Sequence, residues 1–203
     1  AGAEDSWRIL EKLIVSKTPV SLRKVMDGYG LDVLDDGVAL KIGDKYLVVT
    51  VDTYTVNPIF FPGGDIGSLA ASGTINDLVV MGARPIAFMD TIVVEEGFLV
   101  SELERIIGSM MNILFRYGIG LIGGDFKVMP HGSLDKINIT GVGIGVAEKP
   151  IIDKYLKPGD KVVVTGPIGD HGAVILASQL GMVDKLEGVE SDSKPLMNIL
   201  SVI

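Results

Sequence analysis

No cysteine occurs among the 203 residues, which excludes a disulfide scaffold, a thiolate metal site and a cysteine nucleophile within them. Histidine is nearly absent as well: His131 and His171 stand far apart with no HExxH pattern, so zinc chemistry has no ligand set. No GxSxG elbow or other serine-nucleophile motif is present. Runs of Lys or Arg are missing, and 18 basic against 26 acidic residues leave a formal charge of −8, which repels phosphate backbones and anionic headgroups. Nucleic acid is therefore not an expected partner. Apolar runs such as Leu47 to Val51 fall far short of the roughly 18 residues a membrane span needs, and no charged segment precedes an apolar leader. Neither a membrane protein nor a secreted one is expected. The expected compartment is the cytoplasm.

What is present suits a folded core: 47% of residues are apolar against 22% charged, and mean hydropathy is +0.43. The length fits one domain plus part of another. Spacing of Trp7, Leu10, Leu13 and Ile14 predicts an amphipathic packing helix over Glu4 to Val15, its polar face in solvent. Val38 to Ile42 and Tyr46 to Val51, joined by Gly43-Asp44-Lys45, predict a β-hairpin. Two prolines and two glycines between Asn57 and Gly64 predict a loop. Asp65 is then the expected N-cap of a helix running to about Met81 and closed by Gly82. Pro85 to Val94 reads as a strand, Ser101 to Tyr117 as a helix, Ile119 to Ile122 and Ile137 to Ala147 as further strands. Such alternation predicts an α/β or α+β sandwich. A second unit is expected near Ile151, with a strand over Val162 to Thr165, a helix capped by Asp170, and a last helix reaching Ile203. The expected division is residues 1–150 and an incomplete 151–203.

Aspartates recur where apolar runs end: Asp35 and Asp36 before Gly37, Asp52 after Val51, Asp77 among apolar helix residues, Asp125 after Gly123-Gly124. Magnesium takes hard oxygen ligands, usually one or two carboxylates together with phosphates and water, so these positions suit a magnesium-nucleotide site. Each taken alone also suits a turn former or a cap. Asp77 is the exception, because a helix interior disfavours aspartate. Gly63-Gly64-Asp65-Ile66-Gly67 leads into a helix N-terminus, which fits a phosphate cradle or a tight turn. The run Gly141 to Gly145 has the wrong spacing for a dinucleotide fingerprint and reads as close packing. His171 reads as a surface residue.

The stretch VDTYTVNPIFFPGGDIGSLAASGTINDLVVMGARP, from Val51 to Pro85, is more specific than its parts. With VVEEGF (Val93 to Phe98), GGDFKVMPHG (Gly123 to Gly132), INITGVGIGVA and GPIGDHGAVIL (Gly166 to Leu176), it resembles the carbamoyl dehydratase HypE family. That family is related to aminoimidazole ribonucleotide synthetase, selenophosphate synthetase and thiamine monophosphate kinase. The resemblance implies an α+β N-terminal domain with a mixed or antiparallel sheet and helices on one face, dimerising into a barrel, followed by a C-terminal α/β domain. It implies ATP with Mg2+ and, as partners, a second copy of the chain and other hydrogenase maturation proteins, a carbamoyl transferase and an iron-site scaffold. It also implies ATP-dependent dehydration of a protein S-carbamoyl group to a thiocyanate, for the cyanide ligands of nickel-iron hydrogenase. By motif, Asp52, Gly63, Gly64, Asp65, Asn76, Asp77, Asp125 and Lys127 are the implied nucleotide contacts, with Asp36, Asp52, Asp77 and Asp125 as metal ligands. Three departures stand out. Phe126 replaces a threonine, no Gly-rich HGxGG-like segment precedes Asp35, and no terminal cysteine is present. The chain alone is thus expected to be inactive, as part of a HypE-type enzyme or as a non-catalytic, diverged nucleotide-binding module serving assembly.

Overall fold

The computed structural model describes residues 3–164, 166–186 and 188–201. Helix α1 (Ala3–Leu10) continues as a wider turn through Val15, so the expected N-terminal helix forms. Its packing role is not borne out, since Val15 is buried but Trp7, Leu13 and Ile14 stay about half exposed. Strands β1 (Val38–Ile42) and β2 (Lys45–Tyr54) make the expected hairpin, with Ile42 opposite Lys45 and Gly43 at φ +64° in the two-residue turn.

The segment read as a wholly irregular loop holds a small ladder, β3 (Phe60–Phe61) against β4 (Gly64–Asp65), turned at Pro62 and Gly63. Proline presets the first turn position and Gly63, at φ +92°, takes the second. Helix α2 (Ile66–Val80) starts with a reciprocal capping box between Asp65 and Ser68 and ends before Gly82 at φ +72°. Both ends are where local chemistry predicts them. Strand β5 (Arg84–Glu95), helix α3 (Val100–Arg116), strand β6 (Gly120–Met129) and strand β7 (Ile137–Ala147) complete the frame. Strand β6 outruns the expected Ile119 to Ile122, because pairing with β5 carries Gly123 to Met129 on in extended form.

The sheet order is β1-β2-β7-β5-β6, with only the β5–β6 pair parallel. Strand β7 alternates strictly between buried and half-buried residues, as a strand covered on one side does. Its buried face (Ile137, Ile139 and the glycines 141, 143 and 145) meets the helical layer, where Ile66, Ala70 and Ile106, with Ile92 of the neighbouring β5, close one core cluster. A second cluster gathers Ile75, Phe88, Met110 and Leu114. The arrangement is the α+β one, a mixed sheet with helices on one face. The glycine run in β7 is close packing, as expected: a Cβ on Gly141 would lie 2.2 Å from Thr74 Oγ1 on α2, and one on Gly143 2.9 Å from Thr74 Cγ2.

Beyond β7, residues 161–164 form no strand, and Val162 and Val163 are almost fully exposed. A strand persists only by pairing, and these residues pair with none among those described; Thr165 lies outside the described residues. Helix α4 (Asp170–Gln179) is capped by the backbone of Gly169 at φ +92°, not by the Asp170 side chain, which opens the first turn. The last described residues, Met197–Ser201, make a tight 3-10 turn rather than the expected helix. Residues 190–201 lie back against the preceding frame: Ser191 N donates to Pro62 O at 3.0 Å, and Leu196, Met197, Ile199 and Leu200 pack on the Phe88 cluster.

Candidate functional site

Alternation along β2 sends Val48, Thr50, Asp52 and Tyr54 toward the helical layer, and Thr50, 3% exposed, reaches α2. Its hydroxyl lies between two acceptors, the carbonyl oxygen of Asp36 at 2.8 Å and Oδ2 of Asp77 at 2.9 Å. Burial pushes the Asp77 carboxyl up to about 6; the hydrogen bond from Thr50 opposes the shift, while the negative charges of Asp36 and Asp52 add to it. The Asp36 carboxyl is also raised, first by loss of hydration and then by Asp35 and Asp153. Asp52 is exposed, its Oδ1 accepting from Thr53 N at 2.8 Å. The Tyr54 hydroxyl sits 3.2 Å from Thr74 Oγ1, and burial raises its pKa. Thus Asp36, Asp52 and Asp77 occupy one electrostatic neighbourhood, whose mutual repulsion a cation would relieve.

Among the described residues, no three His, Asp or Glu side chains already form a cation cage. Magnesium does not require one, since it binds through one or two carboxylates plus phosphates and water. The hard oxygens of Asp36 and Asp77, with Asp52 beside them, match that donor set.

Other residues of the expected site lie elsewhere. Asp65 is 4% exposed and its carboxylate accepts from Ser68 N at 2.9 Å and from the Ser109 hydroxyl. That cap takes up a free donor of α2 and sets a negative charge there, so Gly63-Gly64-Asp65 forms the tight turn rather than an open phosphate cradle. Gly63 faces Ser191, whose N would lie 2.7 Å from an added Cβ. Asn76 does not join Asp77; its amide donates to Lys194 O at 3.1 Å and accepts from Leu196 N at 2.8 Å.

Asp125 and Lys127 are on the β6 edge, opposite Thr91 and Val93 and so on the face away from the helices. Three strand spacings, roughly 14 Å, separate β6 from β2. The chain therefore brings Asp36, Asp52 and Asp77 together and holds Asp125 and Lys127 apart from them. Phe126 is 52% exposed at that edge. His131 stands 3.5 Å from Glu95, whereas His171 is not the surface residue expected: half-buried, it meets Ser191 Oγ at 2.9 Å and the Phe61 ring edge-on at 5.3 Å.

Two residues escaped the sequence reading. Thr50 carries a signal, a polar residue at a core-facing strand position two before Asp52. Asp90 carries none; it faces Gly141 on one side and Gly124 on the other, its carboxyl raised by burial. A Cβ on Gly124 would lie 2.2 Å from Asp90 Oδ1, so the second glycine of the GGD motif leaves room for this carboxylate.

Residues 34–147 match the family described as AIR synthase related protein, N-terminal domain. The chain is 40% identical over 202 residues to a putative hydrogenase expression/formation protein of Methanocaldococcus jannaschii, covering 98% of this chain and 59% of that protein. It is 37% identical over 175 residues to carbamoyl dehydratase HypE of Azotobacter vinelandii, covering 85% of this chain and 51% of the relative. The chain thus spans about half to three-fifths of the length of these relatives. Among solved structures, HypE in a HypE–HypF complex gives a TM-score of 0.78 at 32% identity, covering 98% of this chain and 60% of that one. HypE in complex with ATP gives 0.69 at 35% identity, covering 98% and 57%.

Proposed function

The chain belongs to the AIR synthase related family through that family's N-terminal domain, and on that premise we propose that it is a portion of a HypE-type hydrogenase maturation enzyme. In this reading residues 1–150 form the nucleotide-binding and dimerisation domain, and residues 151–203 begin a second one. The reaction is the ATP-dependent dehydration of a protein S-carbamoyl group to a thiocyanate, for the cyanide ligands of nickel-iron hydrogenase. The observation that carries it is the buried Asp77 carboxylate held by Thr50, within electrostatic reach of Asp36 and Asp52, in a chain 37% identical to a carbamoyl dehydratase. When bound, ATP supplies the activation that turns the carbamoyl oxygen into a leaving group, and Mg2+ neutralises its phosphates.

The chain's own residues hold and orient. Asp36 and Asp77, with Asp52 beside them, would hold the magnesium ion together with phosphate and water oxygens, and the buried wall behind them keeps water from one side. Asp125 and Lys127 join the nucleotide through dimerisation, because the uncovered sheet face on which they lie is the one that pairs with a second copy. The homodimer works in the cytoplasm with a carbamoyl transferase and an iron-site scaffold. The sulfur that carries the carbamoyl group belongs to residues other than these, which include no cysteine.

Titration calorimetry tests the reading. Mg-ATP binds the wild-type chain in a metal-dependent way, and Asp77→Asn weakens binding about tenfold, the loss of one charged ligand contact. Equal, metal-independent affinity in both proteins overturns it.

A further inference from the structure

Thr50 has a single hydroxyl, and two separate elements converge on it. The carbonyl of Asp36 comes from the turn before β1 and the carboxylate of Asp77 from the interior of α2, at 2.8 and 2.9 Å. Asp36 and Asp77 are 41 positions apart in sequence (77 − 36), so their spacing is set by whatever lies between them. The Thr50 side chain cannot easily turn. A β-branched residue has few χ1 choices, and this one is packed on both sides by backbone that only glycine permits. A Cβ on Gly143 would lie 3.1 Å from Thr50 Cγ2, and one on Gly37 would lie 3.4 Å from Thr50 Cβ and 2.8 Å from Val49 O.

We propose that Thr50 is a positioning residue of the magnesium-nucleotide site: its fixed hydroxyl holds the Asp77 carboxylate directly and anchors the backbone of Asp36 beside it, so that Asp77 is presented to the cation next to Asp36. The inference rests on the nucleotide reading given above and deepens it. Without the hydroxyl, Asp77 is half-buried beside like charges with nothing to hold it, and turns toward water. Thr50 touches neither phosphate nor metal; it acts through its two acceptors.

The test compares Thr50→Val, which keeps the shape and removes the hydroxyl, with Thr50→Ser, which keeps the hydroxyl and removes the methyl. Mg-ATP affinity by calorimetry is expected to fall about tenfold in Thr50→Val and to recover to within about threefold of wild type in Thr50→Ser, as loss and return of one orienting hydrogen bond require. In the Asp77→Asn background, Thr50→Val is expected to bring clearly less than its full tenfold loss, because the two act largely as a pair. If Thr50→Val does not fold, as judged by circular dichroism, Thr50→Ala takes its place against the same serine variant. Wild-type binding with equal affinity in the valine and serine variants, or additive losses in the double variant, overturns the inference alone. Failure of the wild-type chain to bind Mg-ATP brings down the nucleotide reading and this inference with it.

Discussion

Asp77 illustrates how one side chain ties the site to stability. Its folded pKa, about 6, lies above the ordinary aspartate value of 3.8, so the folded state prefers the neutral carboxyl. Below the unfolded value both states are protonated and Asp77 imposes no penalty. As pH rises from about 4 through about 6 the unfolded state ionises first, and stability is lost. Replacing Asp77 with asparagine removes that loss. Thermal unfolding at about pH 8 is expected to show Asp77→Asn melting some 2–4 °C above wild type, about 1 kcal/mol once solvent screening of this half-buried group is allowed for. At about pH 4 the two are expected to coincide. Saturating Mg-ATP reverses the order at high pH, because binding that is about tenfold tighter stabilises the wild-type fold by about 1.4 kcal/mol more than the variant. A variant less stable than wild type at both pH values contradicts the account.

At the scale of elements, glycine on β7 and glycine on α3 are expected to answer alanine in opposite ways. Gly141→Ala drives a methyl into Thr74 and Phe88, with contacts of 2.2 and 3.0 Å, and is expected to lower the melting temperature by about 4–8 °C. Gly108 on α3 has nothing within 4 Å of an added Cβ, so Gly108→Ala is expected to raise it by about 1–3 °C. Like shifts in the two variants would show that packing at Gly141 is not what the distances imply. The close approach at β7 was legible in the sequence, as were the Gly43 turn and both ends of α2, because each is fixed by chemistry within a few residues. Other features depended on distant partners. Gly123 to Met129 look like a loop until β5 lies alongside, and Val162 to Val164 look like a strand although no described strand pairs with them. The same limit divides the site. Asp77 stood out because an aspartate inside an apolar helix has no local reason to be there. The displacement of Asp125 follows only from strand order, and the use of Asn76 only from where residues 194–196 come to lie.

At the scale of the molecule, one face of the sheet carries helices and the other, among the described residues, does not. On the uncovered side Val51, 67% exposed, adjoins Val142 and Met89, beside a row formed by Thr53, Thr140 and Thr91. The proposed homodimer covers this face. Sedimentation at micromolar concentration is expected to show a dimer for the wild-type chain and a monomer for Val51→Arg, with unchanged circular dichroism. A monomeric wild type would remove the dimer from the reading.

The returning segment held by Asn76 bears on how this protein can be divided. Leu196, Met197, Ile199 and Leu200 lie against the cluster around Phe88, Ile75 and Met110, so the apolar lining of the proposed first unit extends fifty residues beyond its proposed boundary at residue 150. A piece cut after Pro150 would be born with that lining bare, an adhesive strip that takes up fluorescent hydrophobic dyes and drives the piece into inclusion bodies. Adding back a peptide of residues 190–201 would act on it as a lacquer does on a tacky surface.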